Sequence, residues 1–191
     1  MFKSLIIAAA LAISTAAHAS TTAGEILFAS QKAVMQDVVT QGLPWNVGDE
    51  NNYKITMGFL PGTMKMFVRE INADRTEAWL VQDVNLLIQK QKIEALIDMN
   101  TGETKRMLVD GQEQQIPASN YEIIEQMEAE VTVPAGKFRA MYIKIQDNGN
   151  NGQITEQWVN GRDIPVNGMA KSMSDSLLGK VTMELTSFKK N

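Results

Sequence analysis

The feature that most restricts this chain is a period of two. Between Val131 and Phe188, apolar and polar residues alternate in short runs separated by turn residues. Val131-Thr132-Val133 and Lys137-Phe138 flank a Pro134-Ala135-Gly136 break, and Gly179 to Phe188 forms one long alternating run. Side chains on a strand point alternately to opposite faces, so this pattern describes hairpins of antiparallel strands with one face turned to a core. Trp158 and the loop Gly161-Arg162-Asp163-Ile164-Pro165-Val166-Asn167-Gly168 lie between these runs, the loop reading as a wide crossing between strands.

The same period begins upstream, after Trp45. Tyr53, Ile55, Met57 and Phe59 alternate with polar residues, and Leu60-Pro61-Gly62 turns the chain into Met64, Met66 and Val68. Alternation resumes from Ala78 to Ile88 and through Ile93, Ala95, Ile97 and Met99, with turns at Asn72-Ala73-Asp74, Asn100-Thr101-Gly102 and Asp110-Gly111. Closely spaced strands with turns between them describe a meander of about eight to eleven strands. Residues 113–126 suit either a short helix or an irregular strand. The strand after Gly136 is apolar on both faces, with Phe138, Ala140 and Tyr142 on one and Met141, Ile143 and Ile145 on the other. Two covered faces place it at the centre of the sheet.

Ahead of this region the pattern changes. Thr22-Ala23-Gly24-Glu25 fits a capping box, and Leu27, Val34 and Val38 then fall on one face, with Gly42 and Pro44 as stop signals. The spacing predicts an amphipathic helix over residues 23–41. Its opposite face holds Glu25, Gln31, Lys32, Gln36 and Asp37, which suits packing on the chain's own sheet better than insertion into a membrane. Residues 1–19 read as a secretory signal: Lys3, an apolar run from Leu5 to Ile13, and Ala17-His18-Ala19 before Ser20. Residues 20–191 are then one domain, predicted to reach the periplasm with no transmembrane segment. The expected class is α+β, an N-terminal helix packed on a strongly curved antiparallel half-barrel.

Removing the signal takes the chain's single histidine with it, and there is no cysteine. The Ser-His-Asp and Cys-His catalytic sets, and zinc sites of imidazole and thiolate, are thereby excluded. No phosphate-binding loop or dinucleotide fingerprint is present. With 22 acidic residues against 18 basic ones, the chain is a poor partner for nucleic acid. Asp147-Asn148-Gly149-Asn150-Asn151-Gly152 offers one carboxylate, too few for a calcium loop.

Carboxylates cluster at Glu122, Glu125, Glu128 and Glu130. Paired carboxylates serve glycoside hydrolysis. Here Glu128 and Glu130 alternate with Met127, Ala129 and Val131, which puts them on a solvated face. Met64-x-Met66 presents two thioethers, yet no second such pair accompanies it to make a copper(I) site. The methionines fall largely in strands, where flexible thioethers fill an irregular core or line an adaptable apolar surface. No cofactor and no metal are expected.

Several short motifs resemble a family of exported bacterial proteins known as a domain of unknown function. They are Val47-Gly48-Asp49 before Tyr53, the Val133-Pro134-Ala135-Gly136-x-Phe138 hairpin, Trp158 followed by Ile164-Pro165-Val166, Lys171, and the terminal Glu184-Leu185-Thr186-Ser187-Phe188. The resemblance spans roughly residues 45–188. It implies a curved, half-open barrel of the lipoprotein-carrier type, in which a sheet wraps a helix and leaves an apolar concavity. It also implies an envelope protein that binds something hydrophobic or a protein partner. The arginine-centred hook of a lipoprotein carrier is absent, and the resemblance supplies no functional residues.

The resulting expectation is a non-catalytic periplasmic binding protein, not an enzyme. Its concave face, at Met57, Met64, Met66, Ile97, Met141 and Trp158, would accept an acyl chain or other hydrophobic ligand. The alternative is an envelope scaffold or accessory protein that recognises a partner protein through a strand edge or a loop such as residues 160–176. A glycan-active enzyme is the third reading, and requires two carboxylates converging in a deep groove.

Overall fold

A computed structural model describes residues 43–191, apart from 88, 117–120, 149–151 and 177–178. The alternating runs become eleven strands: β1 (Glu50–Met57), β2 (Leu60–Ile71), β3 (Glu77–Leu86), β4 (Gln89–Asp98), β5 (Thr104–Val109), β6 (Gln112–Gln114), β7 (Tyr121–Val133), β8 (Gly136–Asp147), β9 (Gln153–Val159), β10 (Met169–Ser176) and β11 (Gly179–Lys189). They form one sheet in the order β6-β5-β4-β3-β2-β1-β11-β10-β9-β8-β7. Every pairing is antiparallel. Two meanders, β1–β6 and β7–β11, are thus joined side by side where β1 pairs with β11.

This corrects the α+β expectation. Among the described residues there is no helix, and the fold is all-β. The physical reason is the period: past Trp45 the apolar residues recur at two, and a helix needs a repeat near 3.6. Of residues 113–126, open to either reading, 113–114 end β6 and 121–126 begin β7, while 117–120 lie outside the described residues. The helix expected over residues 23–41 and the signal at residues 1–19 lie outside the described residues.

Chain connectivity requires the sheet to bend. Only residues 115–120 separate the end of β6 from the start of β7, the two outermost strands. Fully extended, that link reaches about 25 Å. Eleven strands laid flat would hold those edges about 48 Å apart. Curvature is further fixed at the β7–β8 hairpin, whose tip folds over to β11: Ala135 N donates to Leu185 O at 3.0 Å. Phe138 meets Phe188 there, with ring centroids 6.2 Å apart.

One face of the sheet carries the core. The register runs Gly62, Ile55, Met183, Ser172, Gln157 and Ile143 across β2, β1, β11, β10, β9 and β8. The main cluster includes Tyr53, Ile55, Met64, Met66, Leu80 and Ile97, all essentially without exposed surface. A smaller cluster of Ile143, Ile145 and Val159 lies on β8 and β9. Buried Thr155, Gln157 and Ser172 stand between the two along the same rows.

β8 is penultimate in the sheet, not central as its two apolar faces suggest. Twist accounts for the difference. Near the hairpin tip Phe138 and Ala140 pack on the main cluster, while nearer the other end Ile143 and Ile145, of opposite parity, pack in the smaller one. A strongly twisted strand can therefore bury both faces without neighbours covering both along its whole length.

At the turn after β4, Lys105 Nζ lies 2.9 Å from both Glu77 Oε1 and Asp98 Oδ2. Asp98 Oδ1 also accepts from the backbone N–H groups of Asn100 and Thr101 at 2.9 and 3.2 Å. The Lys105 ammonium, helped by these amides, holds the Asp98 carboxyl below its ordinary range. A carboxyl depressed in the folded state contributes stability above its unfolded pKa and loses it as pH falls through the folded value. Chemical denaturation at a series of pH values should show stability declining below about pH 4, with a shallower decline in Asp98→Asn.

Candidate functional site

The six residues read from sequence as ligand contacts separate into two sets. Met57 on β1, Met64 and Met66 on β2 and Ile97 on β4 share the main core. Met64 pairs with Tyr53 on one side and Val84 on the other. Met141 instead packs against the smaller cluster. Trp158 is half-buried against the main one, with its ring 5.1 Å from that of Tyr142 and Lys171 Nζ 5.9 Å from its centroid.

A second candidate surface lies at the other end of the sheet. Of its two edges, β6 has three residues and β7 has thirteen. A long edge strand leaves a row of backbone N–H and C=O groups without a neighbour, and short edges or charges are the usual protection. β7 is long, and its side chains are exposed from Glu122 to Glu128, with Ile123 at 38%, Ile124 at 43% and Met127 at 47%, while Val131 and Val133 near its end are buried. Ile124 is the extra residue of a bulge opposite β8, between the pairs Ile123 with Ile145 and Glu125 with Lys144.

Beside β7 runs an open groove of about 780 Å³. Met141, Val159 and Phe138 supply apolar surface, and Glu128, Arg139 and Arg162 supply charge. Glu130 also borders it and is tied to Lys137 at 2.8 Å. That ammonium holds the Glu130 carboxyl below its ordinary range, the opposite of what a general acid needs. The phenols of Tyr121 and Tyr142 at this end are both raised. Burial is the first cause, followed by Asp147 for Tyr121 and by Glu156 and Glu125 for Tyr142.

The far wall of the groove is the start of the 160–168 loop, and its shape is built by side chains. Asn160 Oδ1 accepts from the N–H groups of Arg162 and Asp163 at 3.1 and 2.9 Å. Its Nδ2 donates to Arg139 O at 2.9 Å and to Asp163 Oδ2 at 2.7 Å. Val166 sits at φ 60°, a left-handed conformation that a β-branched residue avoids. Such strain persists only where the surroundings hold it.

Here they do so from the core side. Trp45 Nε1 donates to Val166 O, and Asn51 Nδ2 donates to Pro165 O at 2.8 Å. Asn167 Oδ1 gathers Asn51 Nδ2, the Tyr53 hydroxyl and Met169 N at 3.2, 3.0 and 3.2 Å. Burial pushes the Tyr53 phenol far above its ordinary value, so it remains a neutral donor. Gly168 is required for space as well, because a Cβ there would lie 2.9 Å from the Gly161 backbone.

The sequence singled out this loop and the glutamates of β7, but not the groove between them. Alternation assigns faces along one strand, whereas the groove needs the loop to return beside β8, which depends on contacts from Asn51 and Trp45 more than a hundred residues away.

No protein-family model and no curated protein matches the chain. Several solved structures do. One is a protein from Bacteroides fragilis described as exported, with a YmcC-like fold: 11% identity, TM-score 0.47, covering 78% of this chain and 99% of that one. MucB in its complex with MucA from Pseudomonas aeruginosa matches at 11% identity and TM-score 0.41, over 84% of this chain and 56% of that one. This chain therefore spans little more than half of MucB. A DUF1329 family protein from Desulfovibrio piger matches at 8% identity and TM-score 0.37, over 89% and 94% of the two chains. Among the described residues, no helix is long and apolar enough to cross a membrane.

The Asn167 carbonyl serves three buried donors, and truncating it strands part of that set. Asn167→Ala is expected to cost about 1–3 kcal/mol of unfolding free energy in urea titration.

Proposed function

We propose that this protein works by binding and not by catalysis, after export to the periplasm, and that its binding surface is the β7 edge with the adjoining groove. The observation that carries this reading is the asymmetry of the two edges. β6 ends the sheet after three residues, whereas β7 runs thirteen, with Ile123, Ile124 and Met127 uncovered in its first half. An extended segment of a partner protein can add to such an edge through backbone hydrogen bonds, and side-chain pockets then select among partners. The groove beside β8, walled by a loop held under strain, is a preformed pocket of that kind. The secretory pattern of residues 1–19 and the lack of histidine and cysteine after it support an envelope role without common catalytic groups. A photo-crosslinking residue placed at Met127 should give one recurrent protein adduct in the periplasm, and the same residue at Asp74 should not. Adducts scattered equally from both positions would refute the edge as a binding site.

A second reading rests on a different observation. Met57, Met64, Met66 and Ile97 lie in one continuous apolar layer with Met107 and Met183. Thioethers adapt to varied shapes, so this layer can open around an acyl chain if the sheet flexes. Protein purified without delipidation would then carry a lipid visible by native mass spectrometry and displaceable by a fluorescent fatty acid. The absence of both would remove this reading and leave the first intact.

A further inference from the structure

We infer that the segment docking on β7 is an extended chain that carries both a lysine or arginine and an apolar residue on each of its two faces; this rests on the reading of β7 as the binding edge. Glu122, Glu125 and Glu128 are exposed along that strand. None of the three has an ion-pair partner among the described residues, while their neighbour Glu130 does.

Their placement specifies a pattern. By register, Glu125 and Met127 share the face of Lys144 and Tyr142, while Ile123 and Glu128 share the face of Ile145 and Met141. A strand added to the free side of β7 therefore meets a carboxylate and an apolar side chain on each face. Cross-strand neighbours of opposite charge stabilise and like charges destabilise. The fitting segment is basic opposite Glu122, Glu125 and Glu128 and apolar opposite Ile123 and Met127.

The same carboxylates exclude other occupants. A second copy pairing β7 with β7 antiparallel would bring a run of four glutamates, Glu122 to Glu130, against itself. Nucleic acid and an anionic lipid surface meet repulsion at this edge. Asp147 and Glu156 add to the negative field, as their effect on Tyr121 and Tyr142 records.

The test uses three labelled decapeptides of one register, with lysine, serine or glutamate at the positions opposite Glu122, Glu125 and Glu128 and valine at those opposite Ile123 and Met127. Each is titrated against the exported protein by fluorescence anisotropy, with amide hydrogen exchange followed at β7. The lysine peptide should bind and slow exchange along β7. The combined variant Glu122→Lys, Glu125→Lys and Glu128→Lys should weaken it about tenfold. Reversing Glu70, Asp74 and Glu103, exposed on other elements, should leave its affinity unchanged. If the serine peptide protects β7 equally well, the basic partner is overturned and the edge reading stands. If the lysine peptide binds without slowing exchange at β7, its attraction is nonspecific and the proposal fails. If no peptide protects β7, the edge reading itself falls.

Discussion

The pairing of β1 with β11 is the contact on which the architecture depends. Without it the chain is two separate meanders, of six strands and five, each with an additional open edge. The pairing runs from Met57 with Val181 to Glu50 with Lys189, with one bulge between Asn52 and Tyr53. It sets Tyr53 beside Leu185 and Ile55 beside Met183, so the inward side chains of both halves fall in one row. Asp49 extends the clasp past the end of β1. Its buried carboxylate accepts from Asn191 N and from Asn46 N, each at 2.8 Å.

From that seam the rest follows by geometry. Joining the meanders at their first and last strands sends β6 and β7 to opposite edges, yet six residues connect them, so the sheet has to curl. Curling carries the β7–β8 tip over to β11, where Ala135 takes the Leu185 carbonyl. The same seam presents Asn51 and Tyr53 to the 160–168 loop, and these residues with Trp45 hold Val166 in its unfavourable conformation. The core and the groove are therefore mechanically continuous: the side chains that fix the loop come from the strand at the centre of the sheet and from buried Trp45 ahead of it.

Much of this was legible in the chain. Alternation at Tyr53, Ile55 and Met57, or at Val181, Met183 and Leu185, predicts strands and their inner faces directly, and these residues are buried. The solvated reading of Glu128 and Glu130 also agrees with their exposure. Less legible was position within the sheet. β8 has two apolar faces because twist buries one at each end, and period alone cannot separate that case from a strand covered on both sides. The exposed Met127 shows the complementary difficulty: it alternates like a core residue, and only its place on an edge leaves it uncovered.

Taken alone, the order of residues determined the local periods, the turns, the absence of imidazole and thiol chemistry past residue 19, and a markedly acidic run at Glu122 to Glu130. Those are properties of neighbours along the chain. Which strands meet was decided by tertiary structure: β1 beside β11, β6 and β7 at the margins, and the loop at residues 160–168 drawn back to form a groove wall. The reason is that backbone hydrogen-bonding groups are chemically alike in every strand. Partner choice emerges only when burial, curvature and a few long-range side-chain bonds are satisfied together.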